Sequence, residues 1–222
     1  MNEDELKYFR LAKELNEEFH SLLLDKKFHF RGNKNSVSLI SLARKTAERG
    51  FSNIKTREEA KKFLQTQISS VIKRDTPEKI LQSWIIYNSM QNNGKISFKN
   101  NLTFITSELV FANKEEYNLT KPKRDIRNDI LAIDDENTLC IIELKSSRVN
   151  EVKRQTIEFE KVVKNEKDFF HSLVLLYTNK KWNGNIRKIA VWPSTQGQSR
   201  VQEYDDVEEV NYLEKDDKFC FN

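Results

Sequence analysis

The fold of this chain is decided by residues 127–133, RNDILAI, and residues 138–145, TLCIIELK. Both segments are predicted strands, because each carries an apolar run between polar flanks. The second is continuous enough to be covered on both faces, yet it ends in Glu143 and Lys145. Side chains alternate along a strand, so these two charged groups leave the buried strand on the same face.

A hairpin of the two segments brings Asp129 back beside Glu143. Burial of an isolated charge is costly, so these groups need one another, a cation or contact with water. Two adjacent carboxylates repel each other unless a hard divalent cation lies between them, and magnesium accepts such oxygen ligands. With Lys145 at the rim, the pattern predicts a site that attacks a phosphodiester. The alternative is a surface hairpin with an ordinary ion pair.

The triplet Glu-x-Lys is common in this charged chain and begins at Glu5, Glu59, Glu143 and Glu151. Three of these copies lie in charged, helix-like surroundings, where ion pairs on a solvated face are the better interpretation. Only the copy at Glu143 follows the core of a predicted strand. That copy is therefore the candidate site.

At these residues the chain resembles the PD-(D/E)xK, or restriction-endonuclease-like, nuclease superfamily. The resemblance implies an α/β fold with a restriction-endonuclease-like core, in which a mixed central sheet is flanked by helices. It also implies Asp129 and Glu143 as ligands of Mg²⁺, for which Mn²⁺ substitutes, helped by the Leu144 carbonyl. Lys145 then orients the attacking water or stabilises developing charge. Asn128 stands where the family carries a proline.

A helix is predicted after Lys145, with Gln155 on its apolar stripe. A polar amide on an apolar face must find a partner, so Gln155 is a candidate site residue; a helix boundary or a surface amide is the alternative. The run from Gln155 to Phe159 resembles the Q-x-x-x-Y element of RecB-type members, with phenylalanine in place of tyrosine. Glu78 and Glu108 are weaker ligand candidates, and a solvated carboxylate is the preferred interpretation of each.

The charge is unevenly distributed along the 222 residues. Residues 202–222 hold eight acids and two lysines, so they carry a charge of −6 and leave +10 on residues 1–201, within a total of +4. A basic body favours a polyanion as partner, and we expect double-stranded DNA. The basic residues cluster on either side of the candidate site, where they would hold phosphates: Lys121, Lys123, Arg124, Arg127, Arg148, Lys153 and Arg154.

Three regions are expected. Residues 1–75 form a helical N-terminal region for packing, dimerisation or DNA contact, residues 76–201 the nuclease core, and residues 202–222 an acidic tail that is either solvated or covers the basic surface. Within these regions the periodicity predicts helices over 4–24 and 36–49 and from residues 57, 77 and 150, although 36–49 also fits a short strand. It predicts strands over 103–112, 127–133, 139–145, 173–177 and 188–192. The family's order of one helix, three strands, a helix and a strand matches residues 77–178.

The expected function is that of a magnesium-dependent DNA endonuclease, a phosphodiester hydrolase of the small restriction type. Alternatives are a repair, recombination or mobile-element nuclease, an inactive DNA-binding protein on this fold, and an assembly protein that binds an acidic partner. A symmetric cut favours a homodimer. No nucleotide cofactor is expected, because no phosphate-cradling glycine loop is present.

The sequence also favours a cytoplasmic protein without a membrane span, since no apolar run approaches the length needed. Cys140 and Cys220 are expected to stay reduced, because their spacing fits no metal site. His20 and His29 lack partner acids or metal spacing and are interpreted as structural.

Overall fold

A computed structural model describes residues 3–43, 52–65, 76–96, 98, 101–119, 125–147, 149, 151–194, 206–216 and 218–222. The chain divides into two compact units, Met1–Asn93 and Gly94–Asn222. The first domain boundary was predicted between residues 75 and 76, whereas the first compact unit ends at Asn93. None of the helices among the described residues has both the length and the apolar character that crossing a membrane requires.

The first unit combines helices with a two-stranded sheet. Its elements are a 3₁₀ turn Glu3–Leu6, α1 (Lys7–Glu18), α2 (His20–Lys26), β1 (Phe28–Gly32), β2 (Val37–Ser41), α3 (Arg57–Gln65) and α4 (Pro77–Gln91). The helix predicted over 4–24 is thus present, with a break at Phe19 between α1 and α2. The helices predicted from residues 57 and 77 are confirmed as α3 and α4.

The hairpin of β1 and β2 packs on α1. The two strands are antiparallel, with Phe28 opposite Ser41 and Gly32 opposite Val37. The Asn16 side chain in α1 donates to the Phe30 carbonyl at 2.7 Å and accepts from the Phe30 N–H at 2.9 Å. Asn16 therefore satisfies the backbone N–H and carbonyl of Phe30, two groups that point away from β2.

The helix predicted over 36–49 is wrong for the part that the structure describes, which forms β2. All five residues of β2 are buried, so the apolar residues that suggested one helical face belong to a covered strand. Residues 44–49 of that prediction lie outside the described residues, as do the Ile68, Val71 and Ile72 positions of the predicted face of α3.

The second unit is built on a mixed six-stranded sheet flanked by helices, as predicted at the level of an α/β protein. Its elements are β3 (Thr103–Ala112), a 3₁₀ turn Glu115–Tyr117, β4 (Asp125–Ile133), β5 (Leu139–Leu144), α5 (Glu151–Asn165), α6 (Lys167–Thr178), β6 (Ile186–Pro193), β7 (Val207–Lys215) and β8 (Lys218–Phe221). The strands lie in the order β3-β4-β5-β6-β7-β8.

The type of strand pairing changes twice across this sheet. The β3–β4 and β4–β5 pairs are antiparallel, the β5–β6 and β6–β7 pairs are parallel, and the β7–β8 pair is antiparallel. Helices α5 and α6 form the long connection that two adjacent parallel strands require between β5 and β6. Helix α5 packs against β4, β5 and β6, and α6 packs against β3.

The strand predicted over 173–177 is wrong, because this apolar run belongs to α6. Phe169, Phe170, Leu173 and Val174 are buried at helical spacing, whereas Leu175 is 48% exposed. A strand follows only at β6, so the described residues of 77–178 contain α4, three strands and then two helices, and the last strand expected in that range is absent from them.

Candidate functional site

The β4–β5 hairpin positions the two candidate ligands. Strand pairing runs from Ile133 opposite Leu139 to Ile130 opposite Ile142. One step further in the same register, Asp129 lies across from Glu143. Opposite residues of an antiparallel pair point to the same face, so the hairpin brings these two carboxylates together.

Side chains replace the backbone ladder at this end of the hairpin. The Leu144 N–H donates to Asp129 Oδ2 at 2.8 Å, and Asn128 Nδ2 donates to the Ile142 carbonyl at 3.1 Å. These bonds satisfy backbone groups of β5 at and beyond its last residue paired with β4, Ile142. Asn128 is only 1% exposed, so it is a buried structural contact of the hairpin, a role that the sequence did not predict.

Glu143 is the most strongly perturbed group of the site. Its residue is 4% exposed, and its carboxylate accepts a hydrogen bond from Lys145 Nζ at 3.1 Å. Burial, and next the negative charge of Asp129, raise the pKa of Glu143 to about 8, although Lys145 and the backbone of Asp129 act in the opposite direction. The arrangement therefore holds an acid whose ionisation requires more positive charge than Lys145 alone supplies.

Lys145 is held at the end of β5 by the neighbouring strands. Its backbone N–H donates to the Val191 carbonyl of β6 at 2.9 Å. The Tyr212 hydroxyl of β7 donates to the Lys145 carbonyl at 3.4 Å. Its side chain keeps 22% of its surface exposed while it contacts Glu143. Hydrogen bonds to β6 and β7 thus fix the backbone of Lys145. Its ammonium reaches solvent and places a positive charge at the open edge of the site.

Gln155 lies apart from the hydrogen bonds that join Asp129, Glu143 and Lys145. It lines a cavity of about 140 Å³ together with Asp125, Ile126, Arg127 and Glu158. Its side-chain oxygen Oε1 is buried and accepts no hydrogen bond from the described residues. The amide thus faces the first half of β4, and the cavity is large enough for ordered water or a small polar group.

The weaker ligand candidates have different positions. In β3, Ser107 pairs with Ile130 and Leu109 with Asn128, so Glu108 lies across from Asp129. Its φ of 49° turns the backbone out of the regular strand conformation. Glu78 belongs to α4, in the other unit.

Within the described ranges, no three His, Cys, Asp or Glu side chains form a group able to hold one metal ion. The carboxylates of the candidate site are therefore a pair, Asp129 and Glu143. A pair is enough for magnesium, which takes one or two carboxylates and keeps several waters.

The basic residues near the site divide into three groups. Lys121, Lys123, Arg124 and Arg148 lie outside the described residues. Arg127 keeps 62% of its side chain exposed, 3.5 Å from Asp125. Lys153 and Arg154 have internal partners instead.

Lys153 is fully buried, with its ammonium 3.0 Å from Glu209 and 6.0 Å from the centre of the Trp192 ring. Arg154 pairs with Glu151 at 2.7 Å and also with Glu158. Lys153 and Arg154 were predicted to hold phosphates. Their contacts do not support that role, because acidic residues of the protein already compensate both cations. The buried Lys153–Glu209 pair was missed because its two members are far apart in sequence.

No model of a known protein family matches this chain, and the search of curated proteins finds no match to it.

Proposed function

We propose that this chain is a magnesium-dependent DNA endonuclease that hydrolyses phosphodiester bonds at Asp129, Glu143 and Lys145. The proposal is carried by one observation: Asp129 and Glu143 adjoin the last paired residues of the hairpin, Ile130 and Ile142, and burial together with the negative charge of Asp129 raises the pKa of Glu143 to about 8. A buried acidic pair with a single lysine beside it is under-compensated. A divalent cation is the species that removes this deficit.

The topology supports a restriction-endonuclease-like core. Three antiparallel strands, β3, β4 and β5, are followed by helix α5 and, after α6, by β6 parallel to β5. This is the order that the resemblance implies, with one added helix. The two acids lie on the two strands on which that family carries its ligands, and the lysine directly follows the second strand.

The donor set fits magnesium. Asp129 is fixed by the Leu144 N–H through one oxygen, and a carboxylate has further lone pairs for a cation. Glu143 would supply the second carboxylate and the Leu144 carbonyl a third oxygen. Bound there, magnesium would polarise the scissile phosphate and lower the pKa of a coordinated water.

The protein's own groups would then perform the remaining work. Asp129 and Glu143 would hold the cation, and the cation would supply the positive charge that binds the reacting phosphate. The Lys145 ammonium orients the attacking water or balances the negative charge that develops on the phosphorus oxygens. Because Glu143 is desolvated, these electrostatic interactions are stronger than they would be in water.

The test is digestion of supercoiled, linear and single-stranded DNA, each with magnesium, with manganese and with EDTA. Wild-type protein is compared with Glu143→Ala and Lys145→Ala. The matched controls are Glu136→Ala and Lys181→Ala, two exposed residues outside the site. We expect metal-dependent cleavage by wild type and both controls. The cleavage rate of either site variant should fall at least 100-fold, as it does when one transition-state contact is removed.

Cleavage that survives both site substitutions would refute the assignment. DNA that remains intact under all metal conditions, while still bound by the protein, would favour an inactive DNA-binding protein. A ladder of discrete fragments indicates a restriction-type enzyme, and progressive loss from the ends indicates an exonuclease. A symmetric duplex cut would require two copies of the site and hence a homodimer.

A further inference from the structure

A groove of about 440 Å³ opens on the first unit, between one face of α1 and the segment that enters α3. Four cationic side chains line it, Lys7, Arg10, Lys55 and Arg57, against one acid, Glu14. All five residues are exposed. We call this surface the basic groove. A concave surface lined by several positive charges concentrates positive electrostatic potential in the groove.

Helix geometry gathers these groups. Lys7, Arg10 and Glu14 follow each other at spacings of three and four residues, so they share one face of α1. Lys55 and Arg57 come from the start of α3. There the Lys55 and Thr56 N–H groups donate to Glu59 at 2.7 and 3.3 Å in a capping box. These backbone donors are engaged, so an incoming ligand would meet the cationic side chains.

Most of these cations have no compensating charge among the described residues. Arg57 lies 3.1 Å from Glu14 and 3.3 Å from Glu18. By contrast, Lys7, Arg10 and Lys55 form no salt bridge with any residue in the part of the chain that the structure describes. In the same unit, Lys13 and Lys61 are paired, with Glu17 at 2.6 Å and with Glu18 at 3.4 Å. Three cations without a salt bridge to any described residue, around one concave surface, favour a polyanion.

We infer that the basic groove binds the phosphodiester backbone of duplex DNA. The choice of DNA as the polyanion rests on the proposed function. Among the described residues, the lining contains one apolar side chain, Leu11, and no aromatic ring, so these residues offer no platform for the base stacking that single-strand binders use. Phosphate contacts by lysine and arginine position a protein on the duplex without reading its sequence. The groove would therefore hold the substrate, and sequence selection would come from elsewhere.

The test measures binding without cleavage. A fluorescein-labelled duplex of about 20 base pairs, long enough for several phosphate contacts, is titrated in EDTA at increasing salt and followed by anisotropy. The test variant is the triple substitution Lys7→Gln, Arg10→Gln, Lys55→Gln. We expect it to weaken binding at least tenfold at low salt. The slope of log K against log salt should become shallower by about 0.9 for each lost phosphate contact.

A charge-matched control separates the groove from net charge. Lys167→Gln, Lys181→Gln and Lys218→Gln together remove three exposed cations from the second unit. We expect this triple to change binding less than threefold. Glu14→Gln removes the one acid of the groove and should tighten binding. Circular dichroism and thermal melting of every variant establish that each is folded.

Several results would overturn the inference: no duplex binding by wild type, equal loss in both triples, tighter binding to a single strand, or equal groove-dependent binding to polyglutamate. The two proposals fail separately. Groove-dependent binding of DNA that is never cut would leave the basic groove standing and remove the nuclease. Metal-dependent cleavage with unchanged affinity in the groove triple would do the reverse.

Discussion

Asp129 and Glu143 lie across from each other at the end of the β4–β5 hairpin, and Asp129 is fixed by the Leu144 N–H at 2.8 Å. The hydrogen bond prevents the Asp129 carboxylate from swinging away from its neighbour. Below a pH of about 8 the metal-free protein avoids repulsion between the two acids by keeping Glu143 protonated. A bound cation would replace this proton and let both carboxylates ionise.

Replacement of Asp129 by asparagine should lower the pKa of Glu143. The amide oxygen can still accept from the Leu144 N–H, but the negative charge that raises the pKa of Glu143 disappears. Burial, the larger cause, remains, so we expect a fall of about 1 unit from about 8. Carbon-detected NMR titration of the Glu143 carboxyl in EDTA measures the change. Asp125→Asn is the control and should leave the pKa in place. An unchanged pKa in Asp129→Asn would mean that the two acids do not interact.

The stability that protonated Glu143 contributes to the metal-free protein should be lost as the pH rises from about 5 to 8. The pKa of Glu143 is about 8 in the folded protein against an ordinary 4.5. The folded state then binds more protons than the unfolded chain in this range, so the free energy of unfolding falls with rising pH. The full shift corresponds to at most about 5 kcal/mol.

Urea unfolding in EDTA at several pH values measures this loss, and Glu143→Gln should make the profile flatter while Glu136→Gln should not. Magnesium at 100 times its Kd should restore about 2.7 kcal/mol at pH 8 in wild type. The same slope in Glu143→Gln and wild type would contradict the assignment of the pH dependence to this carboxyl.

The hairpin and its acids could be predicted because the sequence pattern that identifies them is local. An apolar run that ends in Glu143 and Lys145 identifies both the strand and the point where it leaves the core. An apolar run gave a wrong prediction at residues 173–177. A short apolar run fits a buried strand or a buried helix equally well, and only the exposed Leu175 in the folded protein separates the two.

Strand β7 was not predicted because its acids are compensated by distant residues. Asp206 pairs with Lys188, Glu208 lies 2.6 Å from Arg187, and Glu209 lies 3.0 Å from Lys153. Each acid looks solvated in its own stretch of sequence, since its partner comes from another strand or from α5. Such non-local pairing makes an acidic segment part of a sheet.

Acid should destabilise the protein through His29. Burial, followed by the nearby charge of Arg31, lowers the pKa of His29 to about 3 from 6.5. Protons therefore bind preferentially to the unfolded chain, and stability that is present above pH 6.5 is lost as the pH falls toward 3. The full shift corresponds to at most about 5 kcal/mol. His29→Gln should be less sensitive to acid in chemical unfolding between pH 6.5 and 4, whereas the exposed His20→Gln should follow wild type. Equal acid sensitivity of both variants would contradict this assignment.

Alanine at Gly32 should cost more stability than alanine at Gly184, for different physical reasons. A Cβ at Gly32 would lie 2.6 Å from Phe9 Cα and 3.0 Å from the Tyr8 carbonyl oxygen, so α1 and β1 would have to move apart. We expect a loss of about 2 to 3 kcal/mol, as for overpacking in a core. Gly184 has a φ of 91° and open space around it, so alanine there meets only backbone strain of about 1 to 2 kcal/mol. Thermal and urea unfolding of the two variants measure the difference. A Gly32→Ala protein as stable as wild type would show that α1 does not pack this closely on β1.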